Sequence, residues 1–132
     1  MIRERVKMAR ILVIDDDAQI RDVLKQFLER AEYEVRVAPD GSAGLKLHRE
    51  DPADLIITDI VMPGKEGLET IMEFRRHFPA VRIIAISGGG RIGPHDYLNT
   101  AKAMGAQKTF SKPFDPQELM AAVRDVLRHE AP

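Results

Sequence analysis

Residues 9–17 read ARILVIDDD, and the fold follows from how that stretch begins and ends. Ile11, Leu12, Val13 and Ile14 are bulky and apolar in succession, which suits a strand covered on both faces. The run then breaks into acid at Asp15, Asp16 and Asp17. The same shape recurs downstream. Residues 54–59 (DLIITD) form an apolar run closed by a carboxylate, and residues 81–87 (VRIIAIS) one closed by a hydroxyl. Residues 33–38 (YEVRVA) alternate instead, as a strand wetted on one side near a sheet edge does. Residues 106–110 supply a short fifth run just ahead of Ser111, Lys112 and Pro113.

Amphipathic segments separate these runs. Ile20, Val23, Leu24, Phe27 and Leu28 recur at helical spacing. Residues 41–50 make a weaker helix interrupted by Gly44, and a third, over about 65–77, carries Leu68, Ile71 and Met72 and stops at Pro79. A helix over about 94–104 ends at Gly105, a suitable C′ residue. The last begins at Asp115-Pro116-Gln117-Glu118, an N-cap, a proline at N1 and an acid at N3, and buries Leu119, Val123, Val126 and Leu127. Strands alternating with helices predict a doubly wound, flavodoxin-like α/β fold, a five-stranded parallel sheet with helices on both faces. The edge-like second strand and the apolar first, third and fourth favour the order 2-1-3-4-5.

Composition agrees with one such domain. The 132 residues are 44% hydrophobic and 31% charged, enough apolar material for a core and too much for a disordered tail. Twenty Lys+Arg against 21 Asp+Glu leave a net charge of -1, with no basic surplus for a nucleic-acid backbone. The absence of cysteine excludes disulfides, a thiol nucleophile and a Cys–zinc site. Apolar runs fall far short of the roughly 20 residues that span a bilayer, and residues 1–10 have charge but no apolar signal core. The expectation is a cytoplasmic chain with a polar extension at 1–8 and one domain over 9–132, touching neither membrane nor nucleic acid.

In a doubly wound sheet, ligands bind beyond the carboxyl ends of the strands at the switch point. That rule alone selects Asp15, Asp16, Asp59, Ser87 and Lys112. Clustered carboxylates repel unless a cation intervenes, and an all-oxygen donor set selects Mg²⁺ or Mn²⁺ over zinc. With the cation in place, one carboxylate can attack a phosphoryl group and form an acyl phosphate, the lysine adding a point charge and Ser87 a hydrogen bond. Plainer readings exist for each residue. Asp17 suits the N-cap of the first helix better than a ligand. Asp16 could cap as well, and its convergence with Asp59 is what favours ligation. A carboxylate closing a buried strand is costly unless paired, which favours function at Asp59 over a simple turn. Lys112-Pro113 could be a structural turn and is a candidate cis bond. His48, His77, His95 and His129 lack ligand spacing and read as surface residues.

ILVIDDD, DLIITDIVMPGKEGLE, IIAISG and FSKPF, in that order and spacing, resemble the receiver domain of two-component response regulators over residues 9–128. The resemblance implies that Asp59 is the phosphoacceptor, served by a sensor histidine kinase or a histidine phosphotransfer protein. It implies Mg²⁺ held at Asp16 directly, at Asp15 through water, at Asp59 and at the backbone carbonyl of Val61. Ser87 matches the switch hydroxyl, Gly88 the small residue beside it and Lys112 the motif lysine. No catalysis beyond self-phosphorylation and slow self-dephosphorylation is implied.

Two features depart from the pattern. Thr109 stands where an aromatic residue often reports phosphorylation, and strand alternation sends Phe110 to the opposite face. The glycine-rich loop at 88–93 is longer than typical and is expected to order when Ser87 moves toward the phosphoryl group. That loop also spells G-x-G-x-x-G, but a dinucleotide fold would need two more strands after it. A phosphatase built on Asp15 and Asp17 lacks its second acidic pair near residues 87–89. A docking-only pseudo-receiver would be expected to have lost an acid or the lysine, and this chain keeps them. Output is expected on a surface near Tyr97, Leu98, Lys102, Thr109 and Arg124, read by a downstream protein; the sequence allows a homodimer there without deriving one. The opening Met1 favours a stand-alone regulator over a fragment of a longer one.

Overall fold

Strands β1 (Arg10–Ile14), β2 (Glu34–Ala38), β3 (Leu55–Asp59), β4 (Arg82–Ser87) and β5 (Lys108–Ser111) form one parallel sheet in the order β2-β1-β3-β4-β5. The computed structural model describes residues 8–60, 66–87, 101–102 and 105–128. Four helices lie among them: α1 (Ala18–Arg30), α2 (Gly41–Glu50), α3 (Glu66–His77) and α4 (Pro116–Arg128). The helix expected over 94–104 falls outside the described residues except at Ala101 and Lys102, which are helical. The loop at 88–93, Val61, Tyr97, Leu98, His95, His129 and the extension up to residue 7 also lie outside them.

The uninterrupted apolar runs serve two cores at once. Ile11, Val13, Leu55, Ile57, Ile84 and Ile86 face one side, where they bury Leu24 and Leu28 of α1 and Leu119, Val123 and Val126 of α4. Leu12, Ile14, Ile56, Ile83 and Ala85 face the other, against Ile71 and Phe74 of α3. Each fully buried side chain of this size contributes about 1.5–3 kcal/mol relative to exposure. Adjacent residues on a strand point to opposite faces, so a polar substitution at any of residues 11–14, 55–57 or 83–86 would reach one core or the other. Strand β2 lies at the sheet edge, as its sequence suggested, but its burial does not alternate strictly: Val35 and Ala38 are buried, and Arg36 and Val37 are half-buried. The fifth strand starts at Lys108, two residues later than the apolar run. Ahead of it, Gln107 is held by its backbone N–H to Ile83 O at 2.8 Å and by its side chain to Ile83 N at 2.7 Å.

The caps at Asp17 and Asp115 lie where the sequence put them, and Asp40 adds one that the sequence reading did not name. Asp17 accepts from Gln19 N at 2.8 Å, Asp40 from Ala43 N at 2.8 Å and Asp115 from Gln117 N at 2.8 Å. Gly105 has φ +111°, the conformation that favours glycine after a helix end. Gly44 does not interrupt α2. A Cβ there would come within 2.4 Å of Ile14 Cδ1, so the glycine lets α2 lie against β1. The α1 stripe is narrower than its apolar residues suggested: Leu24 and Leu28 are buried, whereas Val23 and Phe27 are exposed. Successive helical residues are turned by about 100°, which carries those two off the face that meets the sheet.

His48 corrects the sequence reading. It is buried rather than on the surface, its Nδ1 accepting from Ala53 N at 3.0 Å and its ring edge-on to Phe74 and Phe78 at 5.4 and 4.5 Å between centroids. Gly41, Gly44 and His48 share the inward face of α2 at spacings of three and four, the signal that could have placed it. His77 is exposed as expected, 3.6 Å from Glu73.

Candidate functional site

Strand order decides which distant residues become neighbours. Because β1 and β3 pair directly, Asp15 just past β1 and Asp59 at the end of β3 emerge side by side. Strands β4 and β5 continue the sheet, which brings Ser87 and the residue after Ser111 to the same rim. The observed geometry completes that logic. Lys112 Nζ lies 3.0 Å from Asp15 Oδ2 and 3.0 Å from Asp59 Oδ2, although 97 and 53 positions separate them in the chain. One carboxylate oxygen each from Asp15, Asp16 and Asp59 falls within 4.8 Å of the others.

Each side chain is held by local chemistry. Asp15 donates its N–H to Ala38 O at 3.1 Å, and its Oδ1 accepts from Asp17 N at 2.9 Å. Its carbonyl accepts from Arg21 Nη1 at 2.8 Å. Asp17 is turned away, its carboxylate occupied in capping α1, which leaves a nucleophile–acid pair with Asp15 without support. Asp59 is buried at the end of an apolar strand. Thr58 beside it is also buried and donates its hydroxyl to the Asp59 carbonyl at 3.1 Å. Ser87 is buried, and its carbonyl accepts from Lys112 N at 2.8 Å, which ties the lysine's backbone to β4. The Lys112–Pro113 peptide is cis.

Electrostatics single this rim out. Burial alone would lower the Lys112 pKa, but hydrogen bonds and charges from Asp15 and Asp59 outweigh it and hold the ammonium above its ordinary value. Among the described residues, three carboxylates and the Lys112 ammonium meet at the cluster. Asp16, the exposed member, offers its oxygen beside the two buried ones. The donor set is all oxygen, so the cluster fits a hard metal ion.

The expected site residues Asp15, Asp16, Asp59 and Lys112 therefore meet, and Ser87 closes the adjoining strand. The Val61 carbonyl lies outside the described residues. Of the proposed output residues, Lys102 and Arg124 are exposed and Thr109 is half-buried. Phe110 packs against the core on the side of α1 and α4, while Ala85, paired with Thr109, belongs to the opposite core, as strand alternation predicted. The sequence reading missed the Arg21 grip on the Asp15 carbonyl, which has no motif, and Thr58, a lone hydroxyl in an apolar strand.

Comparison with known proteins gives a consistent picture. A family model described as the response regulator receiver domain matches residues 11–124. The chain is 38% identical over 126 residues to the DNA-binding transcriptional regulator NtrC of Azospirillum brasilense, covering 94% of this chain and 25% of that protein. It is 34% identical over 121 residues to the transcriptional regulatory protein CpxR of Klebsiella pneumoniae, covering 92% of this chain and 50% of that one. The chain thus spans a quarter to a half of these curated relatives. A crystal structure of a CheY-like receiver domain protein from Methanospirillum hungatei superposes with a TM-score of 0.84 at 29% identity, covering 92% of this chain and 95% of that one. No helix among the described residues is long and apolar enough to cross a membrane.

Proposed function

The chain belongs to the response regulator receiver family of two-component systems, and from that premise we propose that Asp59 accepts a phosphoryl group while Asp15, Asp16 and Asp59 hold Mg²⁺. One observation carries the reading: one carboxylate oxygen each from Asp15, Asp16 and Asp59 converges within 4.8 Å, with the Lys112 ammonium 3.0 Å from two of those acids. Mg²⁺, when bound, would offset charge on the phosphoryl oxygens as they approach the acids.

In the proposed reaction, an Asp59 carboxylate oxygen attacks phosphorus on a phosphohistidine. The new O–P bond forms as the P–N bond breaks, and the imidazole leaves with the electron pair, giving an aspartyl phosphate and no net oxidation. Lys112 keeps its proton throughout and acts as a point charge moved from the acids toward the phosphoryl group. The Ser87 hydroxyl would donate to a phosphoryl oxygen, coupling the modified site to β4 and the residues after it. Apolar strands on both sides hold the acids in place before the donor arrives, which lowers the ordering cost of transfer.

Receiver domains of response regulators work with histidine kinases and downstream targets. Here the proposed donor is a sensor kinase or a histidine phosphotransfer protein in the cytoplasm, with self-dephosphorylation as the only hydrolysis. The test is incubation with Mg²⁺ and acetyl phosphate. We expect a stoichiometric, hydroxylamine-labile adduct on the wild type and none on Asp59→Asn. Equal labelling of both proteins, or of neither, would contradict the assignment.

A further inference from the structure

A single peptide plane joins Asp15 to Asp16, and its orientation sets where the Asp16 carboxylate points. Asp15 is anchored without that plane's carbonyl, through its N–H to Ala38 O (3.1 Å), its Oδ1 to Asp17 N (2.9 Å) and its Oδ2 to Lys112 (3.0 Å). Asp16, in contrast, is exposed at the mouth of the cluster. The carbonyl of the linking plane is gripped by Arg21, whose Nη1 lies 2.8 Å away in a part-buried contact across six positions of sequence. Arg21 belongs to the first turn of α1, and its own N–H is bound to Asp17 O at 3.1 Å. The helix start therefore carries the guanidinium at a fixed place behind the acidic turn.

We infer that Arg21 is a positioning residue for the cation, holding the Asp15–Asp16 peptide so that Asp16 aims its carboxylate at the metal alongside Asp15 and Asp59. The inference rests on the reading of the cluster as a cation site. A hydrogen bond from a charged donor to a carbonyl is stronger than a neutral one, and here it adds to the Asp17 N–H bond to Asp15 Oδ1 in holding the turn that carries Asp16. The surroundings of a metal ligand commonly govern affinity in this way, through contacts that never touch the metal.

The sign of the effect separates this role from the alternative. A guanidinium near a divalent-cation site acts against the cation by charge alone, so neutral replacement of a merely electrostatic Arg21 would tighten binding. Replacement of a positioning Arg21 weakens it. Mn²⁺ binding to the purified chain, followed by electron paramagnetic resonance in conditions where every variant is folded, reads this directly without any phosphoryl donor. We expect Arg21→Met to raise the Mn²⁺ dissociation constant by about 10- to 100-fold, and Arg21→Lys, which keeps a charge and one donor, by a smaller factor. Should Arg21→Met not fold, Arg21→Lys decides, because with the charge retained any weakening reports the lost grip. Wild-type binding with unchanged or tighter affinity in the variants overturns the positioning role alone. Wild-type binding no better than that of Asp16→Asn overturns the cation reading and this inference with it.

Discussion

The two ends of the sheet are built from the same strands and loaded with charge, yet among the described residues the buried acids gather at one of them. At the amino end, Arg10 meets Glu34 at 3.5 Å and also pairs with Asp51, and Arg36 donates to the Leu47 and Asp51 carbonyls. The acids there are wet: the Glu34 and Asp51 side chains are 52% and 42% exposed. At the carboxyl end, Asp15 and Asp59 are 2% and 3% exposed and share one lysine. Water screens surplus charge well at the first end and poorly around the buried Asp15 and Asp59 at the second. A cluster of acids is informative when it converges on one point and is largely buried, not merely when it is acidic.

The largest expected contrast comes from deleting one cation at each end. Lys112→Met in metal-free buffer should cost about 3 kcal/mol, because it leaves two buried carboxylates facing each other. Arg10→Met should cost less than about 1 kcal/mol. Urea denaturation gives both values, and equal losses would erase the distinction. Slightly smaller is the effect of metal. Mg²⁺ at a hundredfold excess over its dissociation constant should raise the unfolding free energy by about 2.7 kcal/mol. Asp16→Asn should abolish that gain and Asp51→Asn should leave it intact; a gain that survives Asp16→Asn would move the metal elsewhere.

The smallest effect concerns His48, near the amino end. Burial first, and the Arg36 charge second, lower its pKa below the ordinary 6.5. The unfolded chain therefore binds a proton at a higher pH than the folded chain does. His48's contribution is fully present above pH 6.5 and is lost progressively as the pH falls toward its folded-state value. The slope in that window is at most about 1.4 kcal/mol per pH unit. Protonation at Nδ1 would also remove the acceptor for Ala53 N–H. His48→Gln should flatten this part of the stability profile, measured as urea midpoints across pH; an unchanged slope would show that another group titrates.

What was legible in the sequence follows the same division. Parallel strands covered on both faces must be apolar at every position, so β1, β3 and β4 announce themselves, and the acids that close them mark the rim. The meeting of Lys112 with Asp15 and Asp59 followed from strand order, a global property that the helix-and-strand alternation already constrained. His48 was not legible as buried, because a lone histidine has no period of its own; only the glycines at 41 and 44 betray the inward face. Arg21 was hidden for a different reason. Its partner is a main-chain carbonyl, and any residue at position 15 would supply one.

The central claim is that the buried carboxylate at the end of β3 is the one that is modified. After incubation with Mg²⁺ and acetyl phosphate, borohydride reduction converts an aspartyl phosphate to homoserine, which peptide mass spectrometry locates. The expected result is homoserine at position 59 alone, dependent on Mg²⁺ and strongly reduced in Lys112→Met. Homoserine at position 15 or 16, or none in a protein that binds the metal, would contradict it.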